Sequence, residues 1–319
     1  MGILLHDRCI SWFYLRKLAI CLITLVTLLA VSVLYTPVLR EGYLLAGLLG
    51  PFQSTCSHAA DRRGPNQKIV TYSLYGNFSR EDHVKKYVIP FGETLKSVPS
   101  IYPGWTVRIY HNLQSDDKES WETFNRHLDI GSHVDICNVT QVLENRNLEK
   151  NPSAATWRWL TMIDDMVDTV MSRDSDSRII PREEDAVHEW LTSDKIFHIM
   201  RDHPWQCVNI LAGMWGVKLS QDRAHIAGVF QEIFKLTHNH NYGYDQALLT
   251  DYIWPFARLN MVSHDSYCCR NFPFTKPYPT PRSKDGLFIG GRDNPKEALR
   301  SPCPVECRPV NATSEWDYC

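Results

Sequence analysis

The sequence lacks a surplus of charge of either sign. Lysine and arginine number 34 and aspartate and glutamate 36, so the formal net charge is −2 over 319 residues. A protein that coats nucleic acid needs a basic surplus, so the composition excludes that class. Internal repeats are also missing, which excludes a repeat array. With 44% apolar and 22% charged residues, the chain has the usual balance of a globular protein and can bury a core.

Charge is absent from one long segment near the start. No charged residue lies between Lys17 and Arg40, and residues 18–35 are apolar apart from two threonines and one serine. Eighteen helical residues extend about 27 Å, close to the roughly 30 Å hydrocarbon core of a bilayer. Basic residues precede the segment, which places the N-terminus in the cytosol. We therefore predict a cytoplasmic tail (1–17), a transmembrane signal anchor (18–36) and a stem (37–67), with the C-terminal bulk outside the cytosol.

The cysteines that follow the anchor agree with an extracytoplasmic location. Eight is an even number, as expected for disulfides in an oxidising compartment, and the sequence leaves 105 pairings open. They are Cys56, Cys137, Cys207, Cys268, Cys269, Cys303, Cys307 and Cys319. Cys303 and Cys307 also have the spacing of half a metal site, but no histidine lies nearby, so we favour disulfides.

From Lys68 onward, strand-like and helix-like patterns alternate, which predicts an α/β fold with a largely parallel sheet. Strands are predicted at 69–75, 105–110, 134–139, 169–172, 195–200, 214–219 and 259–262. Helices are predicted at 84–95, 154–163 and 226–234 and from Pro181 onward. The domain spans 68–272. The segment 273–319 is rich in proline and cysteine and is predicted to wrap around the domain, tied by disulfides, rather than form a second core.

Two carboxylates directly follow the fourth predicted strand. Asp174 and Asp176 are separated by one serine, and Arg173 and Arg178 flank them. Ligands of parallel sheets bind at the carboxyl ends of strands, so this DxD motif lies where a ligand is expected. Carboxylate oxygens suit Mg²⁺ or Mn²⁺, and such ions often bridge carboxylates to a diphosphate. A surface turn with self-neutralising charges is the simpler alternative.

The layout resembles a known superfamily. A short tail, a signal anchor, a stem and an α/β domain with DxD are typical of Golgi glycosyltransferases of the GT-A fold, a Rossmann-like sandwich. Tyr102-Pro103-Gly104-Trp105, the segment RDSDSR (173–178) and the segment MRDHP (200–204) resemble an animal group within that superfamily. The resemblance covers about 68–270. It implies an enzyme that moves a sugar from a nucleotide-sugar to a glycan, protein or lipid acceptor, with Mn²⁺ or Mg²⁺ held by the DxD motif.

The resemblance also implies roles for individual residues. The donor would contact Tyr72, Tyr75, Gly76, Arg158, Arg173, Ser175 and Arg178. The metal would be held by Asp174 and Asp176, with His264 as the third ligand. Asp245 and Gln246 are similar to the Asp-Gln segment of retaining galactosyl- and glucosyltransferases, which makes them the catalytic candidates and favours retention. The acceptor would contact Asp202, His203, Gly213 and Trp215.

Simpler interpretations stay open for several of these residues. Tyr72, Tyr75 and Trp215 are also typical of a core, Arg158 of a helix surface, and Asp245 of a helix N-cap. Two other functions remain as alternatives. One is a zinc-dependent hydrolase that uses Asp202, His203, His238, His240, His264 and Asp265. The other is a membrane-anchored lectin or assembly factor that keeps the fold without activity.

Three sequons predict N-glycosylation, at Asn77, Asn138 and Asn311. Asn77 directly follows the first strand, beside the proposed nucleotide pocket. A glycan there would crowd the pocket, so we expect Asn138 and Asn311 to be occupied more readily.

Overall fold

The structure is a computed structural model that describes residues 52–148, 151–292, 294, 296 and 298–319. Among these described residues, seven strands form one sheet. They are β1 (Gln67–Ser73), β2 (Thr106–His111), β3 (Val134–Asn138), β4 (Val167–Arg173), β5 (Phe197–Arg201), β6 (Met214–Lys218) and β7 (Met261–Asp265).

Helices connect these strands. The α-helices are α1 (His58–Asp61), α2 (Glu81–His83), α3 (Ile89–Ile101), α4 (Lys118–His127), α5 (Val139–Arg146), α6 (Pro181–Thr192), α7 (Arg223–Phe234), α8 (Tyr244–Leu248) and α9 (Trp254–Ala257). The π-helical segments Val84–Val88 and Leu249–Ile253 continue α2 into α3 and α8 into α9. The segment Ala154–Ile163 is a 3₁₀-helix that precedes β4.

The strand order across the sheet is β3-β2-β1-β4-β6-β5-β7. Strand β6 runs antiparallel to both of its neighbours, and every other adjacent pair is parallel. The predicted α/β fold with a largely parallel sheet is therefore confirmed. Since β1, β4 and β5 run in the same direction, their carboxyl ends lie at one edge of the sheet.

Local sequence explains where the helices begin. Helix α6 starts with Pro181, whose missing N–H is not needed in the first turn, and Glu183 and Glu184 follow near the positive helix end. The side chain of Asp117 caps α4 by accepting from the backbone N–H of Ser120 at 3.1 Å. Asn138 caps α5 in the same way. The sequence reasoning did not identify α4 or α5.

Apolar side chains fill both faces of the sheet. On one face, Trp159 of the 3₁₀-helix packs edge-on against Phe230 of α7 at 5.6 Å, and Trp215 of β6 stacks on the same ring. On the other face, Tyr72 of β1 packs against Phe91 of α3 at 4.6 Å. The result is a sandwich of helices around the sheet, consistent with a Rossmann-like arrangement.

The eight cysteines beyond the predicted anchor are all paired. The disulfides are Cys56–Cys137, Cys207–Cys268, Cys269–Cys307 and Cys303–Cys319. Two of them, Cys269–Cys307 and Cys303–Cys319, lie in or reach the C-terminal tail. The tail also buries Tyr278 and Ile289 against Met200 and Met214 of the sheet. The tail belongs to the same compact unit as the sheet.

The predicted tail and anchor lie outside the described residues. Among those that are described, no helix is long and apolar enough to cross a membrane. One boundary needs correction, because the compact unit begins at Phe52, inside the predicted stem. Thr55 is buried and donates from its backbone N–H to Asp164 at 2.6 Å, so this part of the predicted stem packs on the domain.

Candidate active site at the carboxyl ends of β1 and β4

The strand order reverses between β1 and β4. From β1 the chain adds β2 and β3 on one side, and it then returns to add β4 on the other side of β1. Ligands of open α/β sheets bind in the crevice that such a reversal creates at the carboxyl ends of the strands. Tyr75 and Gly76 follow β1, and Asp174 follows β4, so all three lie at this crevice.

Arg158 connects three predicted site elements. Its guanidinium donates to Asp174 and, at 3.0 Å, to Oδ2 of Asp245. It also donates to the backbone carbonyl of Arg173 at 2.9 Å. Its own backbone N–H donates to Oγ of Ser73, at the end of β1. A single buried arginine therefore joins β1, the residue after β4 and the start of α8.

Exposure differs sharply among these groups. The Arg158 side chain is 5% exposed and Asp245 is 10% exposed, whereas the Asp174 carboxylate is 46% exposed. Burial lowers the pKa of the Arg158 guanidinium, but the charges of Asp174 and Asp245 outweigh this effect and hold the pKa above its ordinary value. The buried guanidinium of Arg158 therefore stays positively charged and lies beneath the Asp174 carboxylate, which is partly exposed to solvent.

Tyr75 lies within electrostatic range of the same charges. Burial raises the pKa of its hydroxyl, Arg158 opposes that shift, and Asp245 and Asp174 add to it. The ring is 44% exposed and contacts Trp157 edge-on at 5.9 Å. Gly76 beside it has a φ of +118°, a conformation that favours glycine. Tyr75 thus has the exposure that contact with a ligand requires.

Asp245 does not cap its helix. The N-cap of α8 is Gly243, without a side-chain hydrogen bond, and Asp245 directs its carboxylate to Arg158. Its second oxygen accepts from the backbone N–H of Gln246 at 3.0 Å. Asp245 and Asp174 are linked because both accept from the Arg158 guanidinium. Gln246, the next residue after Asp245, is half-buried.

Gly213 makes room for Asp174. A Cβ atom at position 213 would lie 2.1 Å from Oδ2 of Asp174 and 2.6 Å from Oδ1. Only a residue without a side chain leaves that space to the carboxylate. Gly213 was predicted to contact the acceptor. The structure instead places it against the DxD motif.

Asp176 is held by a residue that the sequence reasoning missed. Nε of Arg292, in the C-terminal tail, donates to Oδ2 of Asp176 at 2.9 Å. The backbone N–H of Arg178 donates to the carbonyl of Gly291 at 3.3 Å, so the tail lies along residues 176–178. Ser175 is half-buried and Arg178 is exposed in this segment. Arg292 is 116 residues from Asp176, and no local pattern signals such a pairing.

Arg173 and Tyr72 are not at the crevice, which corrects two predicted donor contacts. Arg173 is 2% exposed and donates to Glu183 at 2.6 Å and to the carbonyl of Trp215 at 3.0 Å. Tyr72 is fully buried against Phe91. Both side chains belong to β strands whose faces are covered by helices, so they stabilise the fold.

The predicted acceptor residues also need correction. Asp202 is fully buried and accepts from Arg282 at 2.7 Å and from the backbone N–H of Ile289 at 3.0 Å, so it anchors the C-terminal tail. Trp215 is fully buried on Phe230, as its core interpretation predicts. His203 is half-buried, and its ring is 5.1 Å from that of Trp205.

His264 is not brought to Asp174 and Asp176. It lies within β7, three strands from β4, which is about 14 Å at the usual spacing of neighbouring strands. Its ring nitrogens bond His198 and Glu189, each at 3.0 Å. Burial, with a smaller contribution from Arg182, lowers the pKa of His264 to about 3. The predicted third metal ligand is therefore wrong in its placement.

The remaining residues fit an oxygen-preferring cation. Asp174 and Asp176 present carboxylates in one turn, and the absence of a side chain at Gly213 leaves room for the first of them. Within the described part of the chain, one group of three metal-ligating side chains converges, Asp265 with Cys269 and Cys307. Those two cysteines form a disulfide, so they offer no thiolate.

The histidines proposed for a zinc hydrolase do not converge either. His238 is buried and bonds the carbonyl of Ile233, whereas His240 is exposed and contacts Asn151.

A surface depression of about 410 Å³, lined in part by Lys96 and Arg126, lies at the opposite edge of the sheet, before β3. It is separate from the crevice.

The sequons lie at different places on the surface. Asn77 and Asn311 are exposed, and Asn77 lies at the same edge as the crevice. Asn138 is half-buried because its side chain caps α5. Glycosylation at these positions stays a prediction.

Comparison with known proteins adds no assignment: no family model matches the chain, and no curated protein matches it significantly.

Proposed function

We propose that the protein is a glycosyltransferase of the GT-A type that uses a nucleotide-sugar donor. The observation that carries the proposal is Arg158, buried between Asp174 and Asp245 at the crevice between β1 and β4. A fixed arginine beside Asp174, which is half exposed, and Asp176, which is 19% exposed, offers both kinds of group that a metal-bound diphosphate requires. The resemblance to Golgi glycosyltransferases supports the same assignment.

Each group at the crevice then has a role in binding the donor. Asp174 and Asp176 hold Mn²⁺ or Mg²⁺, which supplies positive charge to the diphosphate when bound. Arg158 lies beneath Asp174 and faces the same phosphates, and Ser175 and Arg178 extend the site along the DxD turn. Tyr75 and Gly76 line the place of the base and ribose.

Charge stabilisation is the chemical contribution of these residues. In sugar transfer, the oxygen of an acceptor hydroxyl forms a bond to the anomeric carbon while the bond to the diphosphate breaks. The diphosphate leaves with the electron pair, and the hydroxyl proton passes to an oxygen of the departing diphosphate. Arg158 stabilises the negative charge on the departing diphosphate, and Asp245 stabilises the positive charge that develops on the sugar. Gln246 contacts the sugar beside it.

The predicted anchor completes the proposal. With residues 18–36 as a membrane span, the enzyme is a single-pass type II protein of the Golgi or another secretory membrane, with its catalytic domain in the lumen. The four disulfides fit an oxidising compartment.

The test measures release of nucleoside diphosphate by the full chain in detergent, with Mn²⁺ and a panel of nucleoside-diphosphate sugars. Arg158→Lys replaces a planar fork with a point charge that cannot hold both carboxylates, so we expect turnover to fall about 100-fold or more. Arg223→Lys is the matched control, because Arg223 bonds carbonyls and Asp168 at the opposite edge of the sheet. Failure of the wild-type chain to turn over any donor, or equal turnover by Arg158→Lys, contradicts the proposal.

A further inference from the structure

Trp205 is the feature that the proposed function does not use. Its side chain is 90% exposed, although a tryptophan offers a large apolar surface that is usually covered. It follows β5, whose carboxyl end lies at the same edge of the sheet as the ends of β1 and β4. An exposed apolar group next to a candidate active site indicates a contact with a ligand.

Two more rings join Trp205. The His203 ring lies 5.1 Å from Trp205 and 4.5 Å from Phe288, which comes from the C-terminal tail. Phe288 is half-buried, so part of its ring also faces solvent. We refer to His203, Trp205 and Phe288 as the aromatic platform.

The backbone around the platform is braced. Nδ1 of His203 accepts from the N–H of Trp205 at 3.1 Å, which closes the turn Pro204–Gln206. The side chain of Gln206 donates to the carbonyl of Ile289 at 3.0 Å, and the next residue, Cys207, is linked to Cys268. The rings are therefore positioned before any ligand arrives, which lowers the entropic cost of binding.

The platform is joined to the DxD motif by one turn of the tail. Phe288 accepts from the N–H of Gly291 at 2.9 Å, and its ring packs on that glycine. The carbonyl of Gly290 accepts from the Ser177 hydroxyl at 3.3 Å, and Arg292 pairs with Asp176. Four residues of chain span at most about 14 Å, so Phe288 is close in the chain to the residue that pairs with Asp176.

We propose that the aromatic platform binds a sugar ring of the acceptor, an inference that rests on the proposed glycosyl transfer. A pyranose has one face of C–H groups that packs on an aromatic ring, while its hydroxyls need polar partners at the edge. Trp205 and Phe288 supply the apolar surface, and the Nε2 edge of His203 supplies a polar group. The acceptor is therefore a glycan or glycoconjugate, not a small aglycone or water.

The size of the platform favours a sugar over a protein or a membrane. A stable protein interface buries about 800 Å² on each partner, and an apolar patch for a membrane is similarly wide. Here two apolar rings and a histidine stand among buried and polar residues. That area matches one sugar ring.

The experiment measures binding of the full chain in detergent to an array of immobilised oligosaccharides with different terminal sugars. We expect Trp205→Ala to weaken binding of the best glycan at least tenfold, and Trp205→Phe to restore most of it. Phe274→Ala is the control, because Phe274 is 86% exposed but lies near β7. Unchanged melting temperatures will verify that the variants are folded.

Outcomes for the platform and for the donor site are separable. Stabilisation by nucleoside diphosphate with Mn²⁺ is measured on the same samples and should be equal in wild type and Trp205→Ala. The proposal that the platform binds a sugar is overturned if glycan binding survives Trp205→Ala, or if the wild-type protein binds no glycan. Glycan binding that depends on Trp205 without any nucleotide binding overturns the transferase and leaves a lectin. The same proposal for the platform is overturned if the chain binds protein or lipid and no glycan.

Discussion

Arg158, from the 3₁₀-helix before β4, and Arg173, at the end of β4, show how burial decides the role of a residue. Arg158 pairs with Asp174, whose carboxylate is half exposed, and it can exchange that contact for a ligand. Arg173 pairs with Glu183, and both side chains are buried. Separating a buried pair costs about 3–5 kcal/mol, so Arg173 is fixed in a structural role. In the sequence, Arg173 flanks the DxD motif and Arg158 is 16 residues away from Asp174, so the sequence does not reveal these environments.

Gly213 offers a test at the same scale. In Gly213→Ala, the new Cβ must displace the Asp174 carboxylate, a flexible group, so we expect the fold to persist while donor turnover falls tenfold or more. Gly228→Ala is the matched control. Gly228 lies inside α7 with no atom near the new Cβ, so alanine should raise the free energy of unfolding by roughly 0.5–1 kcal/mol without changing turnover.

Release of nucleoside diphosphate measures turnover in both variants, and urea denaturation measures their free energy of unfolding. Equal turnover by Gly213→Ala and wild type would mean that the position of Asp174 does not matter for the reaction.

At the scale of elements, periodicity predicted the sheet better than the site. Strands rich in β-branched residues were located to within a few residues, because each buries both faces. Helices α4 and α5 were missed because their apolar residues are few, and capping by Asp117 and Asn138 defines them instead. Strand β7 begins two residues later than predicted and includes His264, which therefore faces His198 and not the crevice.

The histidine pair between β5 and β7 predicts a pH dependence of stability. His264 has a pKa of about 3 in the folded chain because it is buried, and 6.5 is the ordinary value. The unfolded chain therefore binds more protons below pH 6.5, so stability is complete above that pH and falls as the pH decreases. From pH 7.5 to 5.5 this residue alone should cost about 1.4 kcal/mol.

Urea denaturation of wild type and His264→Gln at both pH values measures this contribution. The variant should lose about 1.4 kcal/mol less than wild type over the same interval. An equal loss in both proteins would show that His264 is not held neutral.

On the scale of the whole molecule, long-range links determine how the tail meets the sheet. Arg282 holds Asp202, Arg292 holds Asp176, and Phe288 completes the aromatic platform. These contacts cross 80 residues or more of chain. Composition predicted a tail tied by disulfides, but neither the pairings nor these contacts follow from local pattern, because they depend on the packed fold.

The disulfides differ in the length of chain that they close. Cys56 and Cys137 are 81 residues apart, and Cys303 and Cys319 are 16 apart. The loss of chain entropy in the unfolded state predicts stabilisation of about 4.5 and about 3 kcal/mol respectively. Chemical denaturation of the two double cysteine-to-alanine variants should rank them in that order. A larger loss for the shorter loop would contradict the entropic account.

The most direct test of the donor site is the melting temperature of the full chain with nucleoside diphosphates, with and without Mn²⁺. Ligand at 100 times its Kd stabilises the native state by about 2.7 kcal/mol, which corresponds to roughly 5 °C or more for a domain of this size. We predict such a shift for one nucleoside diphosphate, only with Mn²⁺, and its loss in Asp174→Asn and Asp176→Asn. A folded protein that shows no shift with any nucleotide, or an equal shift without Mn²⁺ or in both variants, would contradict the assignment.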